Sequence, residues 1–118
     1  MINTIKISSV GTHKDILFIA IRGSLDTVTA YHLQEQVEAL IETGQVKFLI
    51  DLKDLEHLSS AGVGLFSAII LDVQRHHGRV VFINLSEQVY EILQLTNVLE
   101  IFMIASSQEE AIVLLESP

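Results

Sequence analysis

Apolar residues along this chain change their spacing several times, and each change marks a new element. Thr4 to Val10 and Ile16 to Arg22 are short runs rich in β-branched residues, parted by the turn-forming Gly11-Thr12-His13-Lys14-Asp15. They predict two strands joined as a hairpin. From Ala30 the spacing lengthens. Ala30, Leu33, Val37, Leu40 and Ile41 recur at intervals of three and four, the mark of one helical face. Gly44 closes that helix, and Val46 to Asp51 follows as an apolar strand. Val63, Phe66, Ile70 and Val73, widened by Leu65 and Ile69, predict a second helix stopped by Gly78. Arg79 to Asn84 has the continuous apolar character of a strand buried on both faces. Ser86 is placed to cap a helix carrying Val89, Ile92 and Leu93, and Ile101 to Ile104 is a further strand. Ser107 followed by Glu110 forms a capping-box pattern before a last helix with Ala111, Leu114 and Leu115.

Strands that alternate with helices after a hairpin imply the α/β class: a largely parallel sheet, helices packed on it, and one antiparallel pair at the start. No repeat, linker or low-complexity tract divides the 118 residues, so 1–118 reads as one domain of ordinary size. A hydrophobic fraction of 49% with a single proline fits a packed core and not disorder.

Charge and composition then remove several functions. With a net charge of -8 and only seven scattered Lys and Arg, the chain is poorly suited to nucleic acid. The longest apolar run, Ile16 to Ile21, is far short of the roughly 20 residues that span a bilayer. The amino-terminal MINTIKISS lacks the basic-then-apolar order of a secretion signal. Cysteine is absent, which fits a reducing cytoplasm and excludes a disulfide framework. The expectation is an acidic cytoplasmic protein.

Catalytic and metal-binding patterns fare no better. His76 and His77 are neighbours, about 100° apart on a helix, and His13, His32 and His57 lie in separate elements without ligand spacing. Asp54, His57 and Ser60 are close in sequence, but no G-x-S-x-G elbow accompanies them. Neither phosphate-loop pattern, G-x-x-x-x-G-K-[ST] or G-x-G-x-x-G, is present. Asp51 ends a strand as a phosphoacceptor aspartate would, yet lacks the paired acids and the lysine such a site uses, so it reads as a turn residue. No enzyme and no cofactor are expected.

Two stretches remain that periodicity leaves unexplained. One is Gly23-Ser24-Leu25-Asp26-Thr27-Val28-Thr29-Ala30, where Asp26 or Thr27 can cap the first helix. The other is His57-Leu58-Ser59-Ser60-Ala61-Gly62-Val63-Gly64, where Ser59 or Ser60 can cap the second. Glycine inside a helix costs about 1 kcal/mol relative to alanine, and here there are two. Small residues at 61, 62 and 64 would let a partner's backbone approach. A phosphate on a serine there would sit at a helix N-terminus, where an anion is favoured.

Together these stretches resemble a known family. GSLDTVTAYHL resembles the G-x-L-D-x-x-T-A-x-x-L signature, and HLSSAGVGLF the [DS]-S-[SA]-G-[LV] signature, of STAS domains, which include the anti-sigma-factor antagonists. The resemblance covers essentially the whole chain. It implies a mixed sheet of four to five strands with helices largely on one side. It also implies a bacterial regulator that binds an anti-sigma factor. That anti-sigma factor is often a serine kinase, opposed by a PP2C-type serine phosphatase. By motif the acceptor serine carries over to Ser60, with Ser59 as the alternate, since many switchable members have aspartate where this chain has Ser59. The contact aspartate carries over to Asp26. The implied partner-binding set is Ser24, Leu25, Asp26, Thr27, Ser59, Ser60, Ala61, Gly62 and Gly64. A second role within the family is a stand-alone subunit of a transport assembly docking on a transporter ATPase. A third role is nucleotide binding, for which the chain supplies no phosphate loop. The oligomeric state is left open.

Overall fold

The computed structural model describes residues 4–118; the first three residues of the stretch read for a secretion signal lie outside the described residues. Strands β1 (Thr4–Val10) and β2 (Ile16–Leu25) form the expected antiparallel hairpin, with Val10 opposite Ile16 and Thr4 opposite Arg22. Helix α1 (Thr27–Glu42) leads to β3 (Lys47–Asp51). A short strand that the spacing did not predict, β4 (Leu55–Leu58), precedes helix α2 (Ser60–Arg75). After β5 (Arg79–Ile83) come α3 (Glu87–Leu95), a 3-10 turn at Leu99–Ile101, β6 (Met103–Ile104) and α4 (Gln108–Glu116). The 3-10 turn takes Ile101 out of the last strand, which is only two residues long.

The strands lie in the order β1-β2-β3-β5-β6, parallel apart from the first pair, and β4 joins the far end of β2. The sheet therefore has six strands, one more than the four to five the resemblance implied; β4 is the addition.

Side chains alternate between the two faces of each strand. On one face Leu17, Ile19, Ile21, Phe48, Ile50 and Phe82 meet the apolar stripes of α1, α2 and α3 in the larger core. On the other, Ile16, Leu49, Val81 and Ile83 meet Ala111 and Leu115 of α4 in a smaller one. Three helices on one side and one on the other is the layering the family resemblance implied. Phe66 of α2 and Phe82 of β5 pack edge to face with ring centres 5.2 Å apart, and Phe102 lies 4.6 Å from Phe82. This aromatic trio fixes α2 on the sheet.

The helix ends show how well local rules worked. Gly44 takes the left-handed position after α1, with φ 94°. Its N–H reaches the Ile41 carbonyl while that of Gln45 reaches Leu40, the pairing of a Schellman stop. After α2 the left-handed position belongs to His77 (φ 63°), not to Gly78. Ser107 Oγ accepts from the Glu110 N–H as expected, but the Glu110 carboxylate reaches back one residue further, to the N–H and hydroxyl of Ser106. Asp51 is a turn residue: Oδ1 accepts from the Lys53 N–H at 3.0 Å and from Asn84 Nδ2 at 2.9 Å, tying the ends of β3 and β5.

Candidate docking and switch site

Parallel strands end, and helices begin, along one edge of the sheet, and two helix starts are fastened together there. The fastening begins at Gly23. Its φ of 93° lies where glycine is favoured, its N–H donates to the Asp54 carbonyl at 3.0 Å, and the strand register slips between it and Ser24. That bulge turns the end of β2 away from β3, whose pairing with it stops at Ala20 and Asp51, and onto β4. Ser24 then lies opposite His57 and Leu25 opposite Leu58.

Leu25 is fully buried, and its carbonyl is the joint. It accepts from the Ser59 N–H at 3.1 Å and from the Ser59 hydroxyl at 2.8 Å. Ser59 Oγ in turn accepts from the Gly62 N–H at 3.1 Å, which makes Ser59 the N-cap of α2. One residue beyond Leu25, Asp26 caps α1: its Oδ1 accepts from the N–H and the hydroxyl of Thr29, both at 3.0 Å. Of the caps left open by sequence, Asp26 serves in place of Thr27, and Ser59 in place of Ser60.

Gly62 owes its identity to this joint. A Cβ there would lie 2.7 Å from the Leu25 carbonyl oxygen and 2.7 Å from Leu58 Cδ1. The expectation that both glycines clear a path for a partner is corrected at this position: Gly62 is buried and admits Leu25, which belongs to the chain itself. Gly64 is different. It is exposed, and a Cβ there would meet nothing within 4 Å.

The surface of the edge is small and polar. Asp26, Thr27, Ser60, Ala61 and Gly64 are exposed, and Ser24 and Ser59 are half-buried. Leu25 and Gly62, the other members of the sequence-derived set, lie beneath and shape that surface without being presented on it. The N–H and hydroxyl of Thr29 hold the Asp26 carboxyl below its usual value. No acidic residue lies in the first turn of α2. Sequence reasoning missed Val28 and Tyr31, which are 66% and 62% exposed beside the same edge. Their signal was present: apolar residues at helical positions off the buried stripe of α1.

The STAS domain family model matches residues 8–111 of this chain. The chain belongs to the STAS domain family. Its two signature stretches are the two helix starts joined at Leu25. Among curated STAS relatives, the anti-sigma-B factor antagonist of Bacillus subtilis is 30% identical over 91 residues, covering 77% of this chain and 83% of its own length. Among solved structures, a Thermotoga maritima protein described as a candidate anti-sigma factor antagonist superposes with a TM-score of 0.86 at 21% identity, covering 96% of this chain and 95% of that one. The phosphorylated form of the Bacillus cell fate determinant SpoIIAA superposes with a TM-score of 0.73 at 21% identity, over 94% and 98% of the two chains. At these identities the two structures speak for the STAS fold. Among the described residues, no helix is long and apolar enough to cross a membrane.

Proposed function

We propose that this STAS protein is a cytoplasmic anti-sigma-factor antagonist, a binding module with no catalytic role of its own. It docks on an anti-sigma factor through the joined starts of α1 and α2 and is released when Ser60 is phosphorylated. The observation that carries this reading is the Leu25 joint, which sets the ionised Asp26 and the exposed Ser60 on one edge through a single carbonyl. The relatives named as anti-sigma factor antagonists support the partner class.

The choice between the two serines follows from their hydrogen bonds. The Ser59 hydroxyl is engaged on both sides, donating to Leu25 and accepting from Gly62, and its residue is half-buried. Transfer of a phosphoryl group to it would break the cap. Ser60 occupies the first turn of α2 and is exposed, so its hydroxyl is open to a kinase. A phosphate there sits at a helix N-terminus that carries no acid of its own, and the fold tolerates it. Release comes from the interface. A bulky dianion replaces a hydroxyl where neighbouring side chains are small, and docking would have to desolvate it. The kinase is the anti-sigma factor itself, and a PP2C-type phosphatase restores the docking form.

The test is incubation with the cognate anti-sigma factor kinase and ATP, followed by mass spectrometry and a binding titration. The expected result is one phosphate on Ser60, none on Ser60→Ala, and loss of binding in Ser60→Asp. Label on another residue, or undiminished binding of Ser60→Asp, overturns the switch. Binding to a transporter ATPase in place of any anti-sigma factor assigns the chain to a transport assembly.

A further inference from the structure

Below the joined helix starts, α1 and α2 run side by side and leave an open groove between them. Its upper part is lined by Thr27, Tyr31, Gln34, Ala61, Gly64 and Ala68. Its lower part continues past Glu38 and Leu71 to Asp72 and Arg75. From Ala61 to Arg75 the groove follows α2 for about 20 Å, taking 1.5 Å of rise per residue. The walls of the upper part carry no charged side chain. Tyr31 is 62% exposed on one wall, and on the other Gly64 has open space where a side chain would stand.

The charge around the groove is one-sided. Helix α1 carries Glu35, Glu38 and Glu42 and no lysine or arginine. Helix α2 carries Asp72 and Arg75, which lie 3.9 Å apart. Of these carboxylates only Glu38 and Asp72 line the groove, at its lower part with Arg75, while Glu35 pairs with His32 at 3.8 Å. With four carboxylates to one guanidinium the two helices are net acidic. A net acidic surface of this kind, continuous with the uncharged upper part of the groove, fits the apolar face of an amphipathic helix whose polar face is basic.

We infer, building on the docking function proposed above, that the anti-sigma factor lays a basic amphipathic helix along this groove. Its small and apolar residues rest on Tyr31, Ala61, Gly64 and Ala68, and its lysines or arginines face Glu38 and Asp72. Contact at the helix starts and contact along the groove are then one continuous interface. The phosphate on Ser60 acts at its upper end, where packing is close, and the charge attraction acts at its lower end.

Three variants test this against the anti-sigma factor that binds the unmodified protein. Gly64→Leu fills the groove from a position with free space. The fold is expected to accept it, with a melting temperature no lower than the parent's, while binding weakens by about tenfold or more. Glu38→Lys is expected to weaken binding and Arg75→Glu to tighten it, each by about threefold to tenfold at low ionic strength, with both effects shrinking in high salt. A loss of packing alone would not move the two charge variants in opposite directions. If all three bind as the parent does while Ser60→Asp still abolishes binding, the groove is not part of the interface, and docking is confined to the helix starts. If Gly64→Leu weakens binding but the charge variants move together, the basic partner helix is overturned. If the unmodified protein binds no anti-sigma factor, the docking function falls and the groove assignment with it.

Discussion

The first turns of α1 and α2 share one geometry and differ in charge. In each, an N-cap oxygen accepts from the N–H three residues on: Asp26 from Thr29, and Ser59 from Gly62. Asp26 is exposed and bonded within its own helix, whereas Ser59 also grips the Leu25 carbonyl of a distant strand. One cap is local and ionised; the other is neutral and tertiary. The lesson is a division of labour. The serine that holds the structure together is bonded on both sides, and its neighbour Ser60 is exposed, as the proposed switch requires.

The largest difference between the two turns is expected at the glycines that follow the second cap. Gly62→Ala places a methyl group 2.7 Å from the Leu25 carbonyl and is expected to cost about 1–3 kcal/mol of stability, as overpacked sites do. Urea unfolding measures it, and an unchanged midpoint would show that the joint at Leu25 is loose. Ser59→Ala removes the cap and leaves the Leu25 carbonyl with fewer donors, so a loss of about 1–2 kcal/mol is expected in the same measurement. Gly64→Ala has the opposite sign. With nothing within 4 Å of the new methyl group, it is expected to stabilise α2 by about 0.5–1 kcal/mol.

At Ser60 stability and binding should part company. Ser60→Asp puts a negative charge on the uncompensated start of α2 and is expected to raise stability by about 0.3–1 kcal/mol. Its binding to the anti-sigma factor is expected to be lost. A destabilised Ser60→Asp would mean that release works through the fold and not through the interface.

The smallest effect separates the two caps by pH. The Asp26 carboxyl is held below 3.8 in the folded protein by its bonds from Thr29. Folding therefore favours the ionised form. The stabilisation is complete above 3.8 and is lost as pH falls through the lower, folded value. Asp26→Asn keeps the cap but cannot titrate, so its stability should fall less steeply below pH 3.8 than the parent's. Ser59→Ala should leave that slope unchanged. Equal slopes in parent and Asp26→Asn would mean that the carboxylate contributes nothing there.

Most of this architecture was legible in the order of residues. The hairpin, the four helices and the buried strands follow from hydrophobic spacing, because alternation and the three-four repeat record which faces are covered. The last strand was shorter than its apolar run suggested, since Ile101 belongs to the 3-10 turn. Strand β4 escaped notice because Leu-Glu-His-Leu is four residues long and has no β-branched residue. It is a strand only because the bulge at Gly23 delivers the end of β2 to it.

The candidate site divides along the same line. Two unusual stretches, a polar residue before each helix and glycines where a helix wants none, are visible along the chain, since composition and spacing are local properties. Which serine caps and which is free was decided by tertiary structure, through a carbonyl 34 residues away from Ser59. So too were the different reasons for Gly62 and Gly64. One position is closed by the chain's own backbone and the other opens onto a groove, and no pattern along the chain records what lies across from a residue in space.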